Sequence, residues 1–268
     1  MVIQIHDHSD PRVAVYRNLR DVELRKSLEA EHGVFVVEGL RSVRALLESP
    51  FPVISFLLTP SRLTAAADIV ESAERQGSPV YVAGSDIFDG IAGFHVHRGV
   101  LALAERLPMR HPRILLAKTD AVVIVEGVND HENLGAIFRN SAALGAGAVL
   151  LDPYCSDPLY RRSVRVSLGH VLRVPFTRLT EWPGAISDLQ ADGFTVVALD
   201  PGARDAIGSM TPPTKVALMV GSEGDGLSEA ARRLADRNVR IPMMPGVDSL
   251  KCCHRPCHRV AEVGRSLT

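Results

Sequence analysis

The chain has 268 residues, of which 46% are hydrophobic and 23% are charged, a globular mixture that excludes disorder, collagen and coiled coil as its main architecture. The formal net charge is −1, so a global basic field is absent and any nucleic-acid binding must depend on local patches. No apolar run approaches the roughly 20 residues that span a bilayer, and the N-terminal residues lack a signal-peptide pattern, which predicts a cytoplasmic protein without a membrane partner.

The first part of the chain, residues 1–107, alternates predicted strands and helices. Apolar residues at helical spacing predict a surface helix over residues 11–32, which ends at Gly33. Further elements are predicted as strands at 34–37, 53–58, 80–82 and 99–104 and as helices between Gly39 and Pro50 and at 62–76. This alternation predicts a small three-layer α/β domain.

A second domain is predicted after a linker. Residues 108–119 hold prolines and basic residues, a composition typical of a connector. The run at 121–125 is apolar and β-branched, as in a strand buried on both faces. Further strands are predicted at 148–151, 195–199, 216–220 and 239–241, and helices at 134–144, 159–168, 182–191 and 228–236, the last with Ser228 as its N-cap. Residues 120–268 are therefore predicted to form a parallel α/β domain.

The loops that follow the predicted strands of the second domain are candidates for a site, because ligands bind beyond the carboxyl ends of parallel strands. Three of these loops combine glycine with polar side chains, at 126–139, 221–228 and 242–250. The glycines of the second loop lack the order of a dinucleotide fingerprint, so an ordinary turn is the alternative. Glu223 favours a ligand site, because it stands among glycines that allow close approach to the backbone.

Asn133 and Arg139 are six residues apart on the predicted helix 134–144 and its first turn. They lie on roughly one face, about 9 Å apart along the axis. The alternative is that Asn133 caps the helix and Arg139 is a solvated surface residue. Together, after a strand end, they can hold a phosphate and a hydroxyl, since arginine presents a fixed fork of donors.

Three segments carry a family resemblance: Asn-Leu-Gly-Ala-Ile-Phe-Arg (133–139), Val-Gly-Ser-Glu-Gly-Asp-Gly-Leu (220–227) and Ile-Pro-Met-Met-Pro-Gly-Val-Asp-Ser-Leu (241–250). In order and spacing they resemble the motifs of the SpoU (TrmH-type) RNA 2′-O-ribose methyltransferases. The likeness covers about residues 121–250. More loosely, residues 33–39 and 97–100 resemble the substrate-binding domain of that family, which is similar to ribosomal protein L30e.

The resemblance implies a fold that periodicity cannot show. It implies that residues 120–268 form an α/β methyltransferase domain with a C-terminal trefoil knot, preceded by an L30e-like α/β RNA-binding domain over 1–107. It also implies S-adenosylmethionine as cofactor, no metal and a homodimer. The third motif departs from the family pattern, which normally continues with Asn-Val and an alanine-rich helix.

The resemblance also assigns roles to individual residues. Arg139 matches the catalytic arginine, and the polar residues around it match Asn133, Glu223 and Ser249. The cofactor contacts are assigned to Leu199, Gly221, Ile241, Met243 and Leu250. The predicted RNA-facing residues are Arg41, Arg44, Arg161, Arg162 and Arg165, for which a solvated helix face is the alternative. A guanidinium stays charged, so orientation and electrostatic stabilisation are favoured over a role as base.

Residues 251–259 read Lys-Cys-Cys-His-Arg-Pro-Cys-His-Arg and have three interpretations. A metal site requires ligands at a usual zinc spacing, which this segment lacks, and Pro256 interrupts a helix there. A genuine divergent tail is the second interpretation. The third is a frameshift, which codon arithmetic favours: a shift of one base, with suitable third bases, gives Asn-Val-Ala-Thr-Ala. In that case residues 251–268 are out of frame.

The leading hypothesis is an S-adenosylmethionine-dependent RNA 2′-O-methyltransferase. Its two predicted domains favour ribosomal RNA over transfer RNA as the substrate. The first alternative is a non-catalytic RNA-binding relative that the altered third motif has disabled. The second alternative is an unrelated α/β nucleotide-binding enzyme. It requires that the three family motifs occur in order in this sequence by chance.

Overall fold

The computed structural model describes residues 2–19, 29, 31–93 and 99–243. The chain divides into two compact units, each with its own sheet. The first unit comprises Met1–Pro108 together with Leu159–Arg173, and the second comprises Met109–Pro158 and the chain from Val174 onward. This division places residues 159–173, which lie within the predicted second domain, in the first unit.

The first unit contains a five-stranded sheet in the order β1-β4-β3-β5-β2. Its strands are β1 (Val2–Ile5), β2 (Val34–Glu38), β3 (Val53–Leu58), β4 (Val80–Ala83) and β5 (Val100–Glu105). In the described residues before 108, its helices with given bounds are α1 (Leu40–Leu47), α2 (Ala67–Gln76) and α3 (Ser85–Ala92), with 3-10 helices at Pro11–Tyr16 and Pro60–Arg62. β5 runs antiparallel to β2 and β3, whereas the other neighbouring pairs are parallel.

The N-terminal region differs from its prediction. The surface helix expected from residue 11 is a 3-10 helix over Pro11–Tyr16, capped by Asp10, whose side chain accepts a hydrogen bond from the Arg12 backbone N–H. Val13 and Tyr16 are fully buried, because side chains three residues apart align on one face of a 3-10 helix. The helix prediction is therefore wrong over residues 11–19. The short elements β1 and α3 have no counterpart among the predicted elements.

The second unit contains a seven-stranded sheet in the order β10-β12-β9-β11-β6-β7-β8. Its strands are β6 (Ala121–Val125), β7 (Ala148–Leu151), β8 (Phe176–Arg178), β9 (Thr195–Leu199), β10 (Asp205–Ala206), β11 (Val216–Val220) and β12 (Arg237–Arg240). Every neighbouring pair is parallel, so all the carboxyl ends lie at one edge. The strands predicted at 121–125, 148–151, 195–199 and 216–220 are observed at the same residues, as β6, β7, β9 and β11.

Between residues 109 and 243 the α-helices are α4 (Pro112–Leu116), α5 (His131–Ala143), α6 (Arg161–Val166, in the first unit), α7 (Ala185–Ala191) and α8 (Glu229–Leu234). The segment expected to be a linker contains α4, whose Leu115 and Leu116 are buried in the core of the second unit. Pro112 stands at the first turn of α4, where its missing N–H costs no hydrogen bond.

Three sets of predictions lie outside the described residues, one of them the surface helix predicted over residues 11–32 where it covers residues 20–28 and 30. The second set contains Ser249, Leu250 and the tail from residue 251, together with the predicted knot. His97 and Arg98 of the loosely matched motif form the third. Among the helices in the described ranges, none is both long and apolar enough to cross a bilayer.

Candidate active site

The candidate site lies at the carboxyl edge of the second sheet. Glu126 directly follows β6, Asp200 follows β9, Gly221 follows β11 and Ile241 follows β12. β11 lies between β9 and β6, so the loops that leave these three strands emerge side by side. This is the edge at which parallel sheets bind ligands.

Helix α5 presents Asn133 to the neighbouring loop. Asp130 caps the helix, since its carboxylate accepts hydrogen bonds from the backbone N–H groups of Glu132 (2.9 Å) and Asn133 (2.8 Å). The alternative that Asn133 caps the helix is therefore wrong. The Asn133 side chain instead donates through Nδ2 to Glu223 Oε2 at 2.9 Å. Two residues 90 positions apart, both predicted for the site, thus meet in one hydrogen bond.

Arg139 lies six residues, about 1.7 turns, further along α5 and is exposed. The preceding residue, Phe138, is fully buried and packs edge-on against Phe176, with ring centroids 5.6 Å apart. Within the described part of the chain, no carboxylate forms an ion pair with the Arg139 guanidinium. Its positive charge is therefore available to an anionic ligand such as a phosphate.

The loop over residues 221–228, which we call the glycine loop, folds back on itself. Gly226 N–H donates to the Ser222 carbonyl at 3.2 Å. A Cβ atom on Gly221 would lie 2.2 Å from the carbonyl carbon of Gly226, so only glycine fits there. The sequence pattern predicts that these glycines admit a ligand, but at Gly221 the loop itself fills the space. Glu223 is exposed near the tip of the loop.

Glu126 fixes both ends of the glycine loop and is absent from the predicted site residues. Its backbone N–H donates to the Val220 carbonyl (2.9 Å) at the start of the loop. Glu126 is buried, with 7% of its surface exposed. Its carboxylate accepts hydrogen bonds from Ser228 N–H (2.8 Å) and Ser228 Oγ (2.7 Å) at the end of the loop. Trp182 Nε1 donates to the same carboxylate at 2.6 Å. The only available signal in the sequence is an acid directly after a buried strand.

Ser228 has a second function in this arrangement. As predicted, it is the N-cap of α8, and its hydroxyl accepts a hydrogen bond from the backbone N–H of Ala231 at 3.2 Å. The same hydroxyl donates to Glu126. The glycine loop is therefore fixed at its end both to the start of a helix and to the end of β6.

The predicted cofactor residues occupy two places. Leu199 and Ile241 are partly buried in one apolar cluster with Val197 and Val239, at the ends of β9 and β12. Gly221 starts the glycine loop. Met243, partly buried, is the last described residue of the third motif. Leu250 and Ser249 lie outside the described residues.

The predicted RNA-facing arginines differ from one another. Arg41 and Arg162 are exposed. Arg44 is also exposed, but forms a bidentate pair with Asp68 at 2.8 and 3.0 Å, which lowers the pKa of that carboxyl. A surface pair of this kind can exchange its partner for a phosphate at little cost.

The prediction that Arg161 faces the RNA is wrong. Its side chain is buried, and its guanidinium pairs with Glu38 and donates to the Leu19 carbonyl. Arg165, half-buried, lies 3.7 Å from the same carboxylate. A buried carboxylate requires matched cations, so Arg161 supports the first unit rather than an RNA surface.

Two family models match the chain. The model described as the SpoU rRNA Methylase family matches residues 120–251, and the one described as RNA 2′-O ribose methyltransferase substrate binding matches residues 36–109. A relative from Mycobacterium tuberculosis (strain H37Rv), described as an uncharacterized tRNA/rRNA methyltransferase, is 40% identical over 254 residues. The alignment covers 93% of this chain and 87% of the relative. A relative with the same description from Mycolicibacterium gilvum is 33% identical over 76% of this chain and 66% of its own length.

Solved structures share the fold. The AdoMet-bound rRNA methyltransferase from Sinorhizobium meliloti superposes with a TM-score of 0.79 at 22% identity, covering 100% of this chain and 99% of the other. The SpoU methyltransferase AviRb from Streptomyces viridochromogenes, in complex with AdoMet, gives a TM-score of 0.80 at 23% identity, covering 96% and 98%. These likenesses confirm the predicted α/β fold with a parallel-sheet domain in the second part of the chain. The N-terminal substrate-binding domain is shown by the family model that matches residues 36–109.

Proposed function

The chain belongs to the SpoU rRNA methylase family, and from this premise we propose that it transfers a methyl group from S-adenosylmethionine to a ribose 2′-hydroxyl of RNA. The observation that carries the location of the site is the hydrogen bond of 2.9 Å between Asn133 and Glu223. It joins the helix after β6 to the loop after β11, at the sheet edge where ligands bind.

The residues at this edge suit S-adenosylmethionine, which supplies a methyl group attached to a positively charged sulfur. Leu199 and Ile241 offer apolar contact for an adenine ring, and Met243 extends this surface. The exposed carboxylate of Glu223 favours a nearby cation. The backbone of Gly221 offers polar groups without a side chain. In this proposal Leu250 completes the cofactor contacts, and Ser249 is one of the polar residues around Arg139.

The acceptor side of the reaction needs an oriented hydroxyl that can lose its proton. Arg139 holds the phosphate next to the target ribose, and its charge stabilises the developing oxyanion. Asn133 donates to Glu223 through Nδ2, and this hydrogen bond does not use the amide oxygen Oδ1. Oδ1 can therefore accept a hydrogen bond from the 2′-hydroxyl. Glu223 is thus a positioning residue, which fixes the direction of the Asn133 amide.

The proposed substrate is ribosomal RNA. The substrate-binding family model over residues 36–109 supports an RNA ligand for the first unit, and the name of the family supports the ribosomal class. The exposed Arg41 of the first unit is available for phosphate contacts. A homodimer and a knotted C-terminal segment belong to the same proposal.

Arg139→Ala tests the proposal, with Arg113→Ala on α4 as a control because Arg113 is also exposed in the second unit. Methyl transfer from tritiated cofactor is measured on ribosomal and transfer RNA, followed by mass spectrometry of the digested nucleosides. We expect Arg139→Ala to lose at least tenfold in rate, about 1.4 kcal/mol of transition-state stabilisation, while Arg113→Ala keeps its rate. Retention of more than a tenth of the rate by Arg139→Ala contradicts its role, and a methyl group on a base contradicts the 2′-hydroxyl assignment.

A second candidate function is RNA binding without methyl transfer. The match to the family model ends at residue 251, where the sequence departs from the third motif, and this favours the candidate. Calorimetry of the chain with S-adenosylmethionine distinguishes the two, because a binding-only protein does not need the cofactor. Micromolar binding supports the enzyme, whereas no heat of binding together with tight RNA binding supports the alternative.

A further inference from the structure

Tyr154 is the most exposed of the large hydrophobic side chains in the described residues, at 75% of its full surface. It lies in the turn that directly follows β7, which we call the Tyr154 turn (residues 152–156). β7 is the neighbour of β6, so this turn stands at the same sheet edge as the candidate active site. An aromatic ring that is exposed in this way does not contribute the stabilising free energy that burial of its apolar surface normally gives.

The Tyr154 turn is held in place from both sides. The buried Asp152 carboxylate accepts from the backbone N–H groups of Tyr154 (3.0 Å) and Cys155 (2.7 Å). From the other side, Arg178 Nη1 donates to the carbonyls of Asp152 (2.7 Å) and Cys155 (2.9 Å). The ring of Tyr154 is thus presented to solvent on a fixed backbone.

The same turn is bonded to the segment that leads into α5. Asp152 accepts from Gly127 N–H at 3.0 Å, and Ser156 N–H donates to the Val128 carbonyl at 3.0 Å. Ser156 Oγ also donates to the Asn129 carbonyl. The next residue is Asp130, the N-cap of α5. The Tyr154 turn and the helix that carries Asn133 and Arg139 therefore form one hydrogen-bonded unit.

We propose that Tyr154 is a stacking platform for an unpaired base of the RNA substrate, next to the nucleotide whose ribose is methylated. This inference rests on the proposed function. RNA-binding proteins commonly take bases in single-stranded regions out of their stack, and an aromatic side chain restores the lost contact. A base fits an isolated ring better than a protein partner does, because protein interfaces surround an aromatic anchor with further apolar side chains. Here the ring stands on a polar turn.

The test measures binding of two labelled probes by fluorescence anisotropy. One is a 12-nucleotide uridine oligomer, and the other is an abasic 12-mer with the same phosphates. The variants are Tyr154→Ala, Tyr154→Phe and, as a control, Ile114→Ala, which removes another exposed apolar side chain of the second unit. Calorimetry with S-adenosylmethionine and light scattering on every variant report the cofactor site and the oligomeric state.

We expect Tyr154→Ala to weaken binding of the uridine oligomer at least about fivefold, with the abasic probe and cofactor binding unchanged. Tyr154→Phe keeps the ring and should stay within about twofold of the unchanged chain, as should Ile114→Ala. Equal binding by Tyr154→Ala, an equal loss on the abasic probe, a shift in oligomeric state, or no binding of the uridine oligomer by the unchanged chain would each overturn the inference. RNA binding that depends on Tyr154 without methyl transfer would contradict only the proposed function.

Discussion

The Tyr154 turn after β7 and the glycine loop after β11 stand at the same sheet edge and are held by opposite means. The Tyr154 turn is held along its whole length by two polar side chains, the buried Asp152 on one side and the half-buried Arg178 on the other. The glycine loop is fixed at its two ends by Glu126, and its interior has one backbone hydrogen bond, from Gly226 to Ser222, and requires that residue 221 have no side chain. The first arrangement displays one ring, and the second leaves Glu223 at a tip where it can meet Asn133.

Gly221→Ala should have the largest effect, because the new methyl group would lie 2.2 Å from the Gly226 backbone, which cannot move aside alone. We expect a loss of about 1–3 kcal/mol in the free energy of unfolding, measured in urea, and loss of methyl transfer as Glu223 is displaced. Gly208→Ala is the matched control, since nothing lies within 4 Å of its Cβ position. A Gly221→Ala protein as stable as the Gly208→Ala protein would show that the loop is free to change its path.

Glu126→Gln should have an intermediate effect. The amide keeps the shape of the carboxylate but turns one acceptor into a donor, which leaves a hydrogen bond unmade to Ser228 or to Trp182. We expect about 1–2 kcal/mol of destabilisation in urea. Trp182 is the only tryptophan of the chain, so its fluorescence reports this change directly.

The control for this variant is Glu181→Gln, an exposed residue next to the same tryptophan. It should change neither stability nor the emission of Trp182 in the folded protein. If Glu126→Gln leaves both stability and the emission of Trp182 unchanged, the ends of the glycine loop are held by something other than this carboxylate.

At neutral pH the smallest effect concerns Cys155 in the Tyr154 turn, because its contribution changes only at alkaline pH. Burial, and then its hydrogen bond with Asp152, raises the pKa of the Cys155 thiol to about 12 from the ordinary value of 9.0. In this range the unfolded chain loses the thiol proton while the folded chain keeps it. The free energy of unfolding should therefore fall as pH rises from about 9 toward 12, and Cys155→Ala should reduce this slope.

Alkylation provides an independent measurement on the same residue. We expect iodoacetamide at pH 8.5 to leave Cys155 unmodified in the folded protein and to modify it in urea, as followed by mass spectrometry of its peptide. Rapid modification of Cys155 without urea would mean that the Tyr154 turn opens readily, and the contrast with the glycine loop would disappear.

The sequence by itself determined the elements whose signal is local. β6, β7, β9 and β11 are runs of apolar and β-branched residues buried on both faces, so their bounds could be read from composition alone. The three ordered motifs likewise pointed to the family, because the residues of each motif are contiguous in the chain. The short strands β8 and β10 were not predicted, because two or three residues carry too little periodicity to stand out.

Tertiary structure decided which polar groups meet, because those partners are distant in sequence. Arg161 and Glu38 are 123 positions apart, and their pairing turns a predicted RNA contact into a buried ion pair. Glu126 and Ser228, 102 positions apart, fix the glycine loop, and Asp130 rather than Asn133 caps α5. A buried charge or an orphan N–H must find a partner, but residue types alone do not say which, since the partner is set by the order of strands in the sheet.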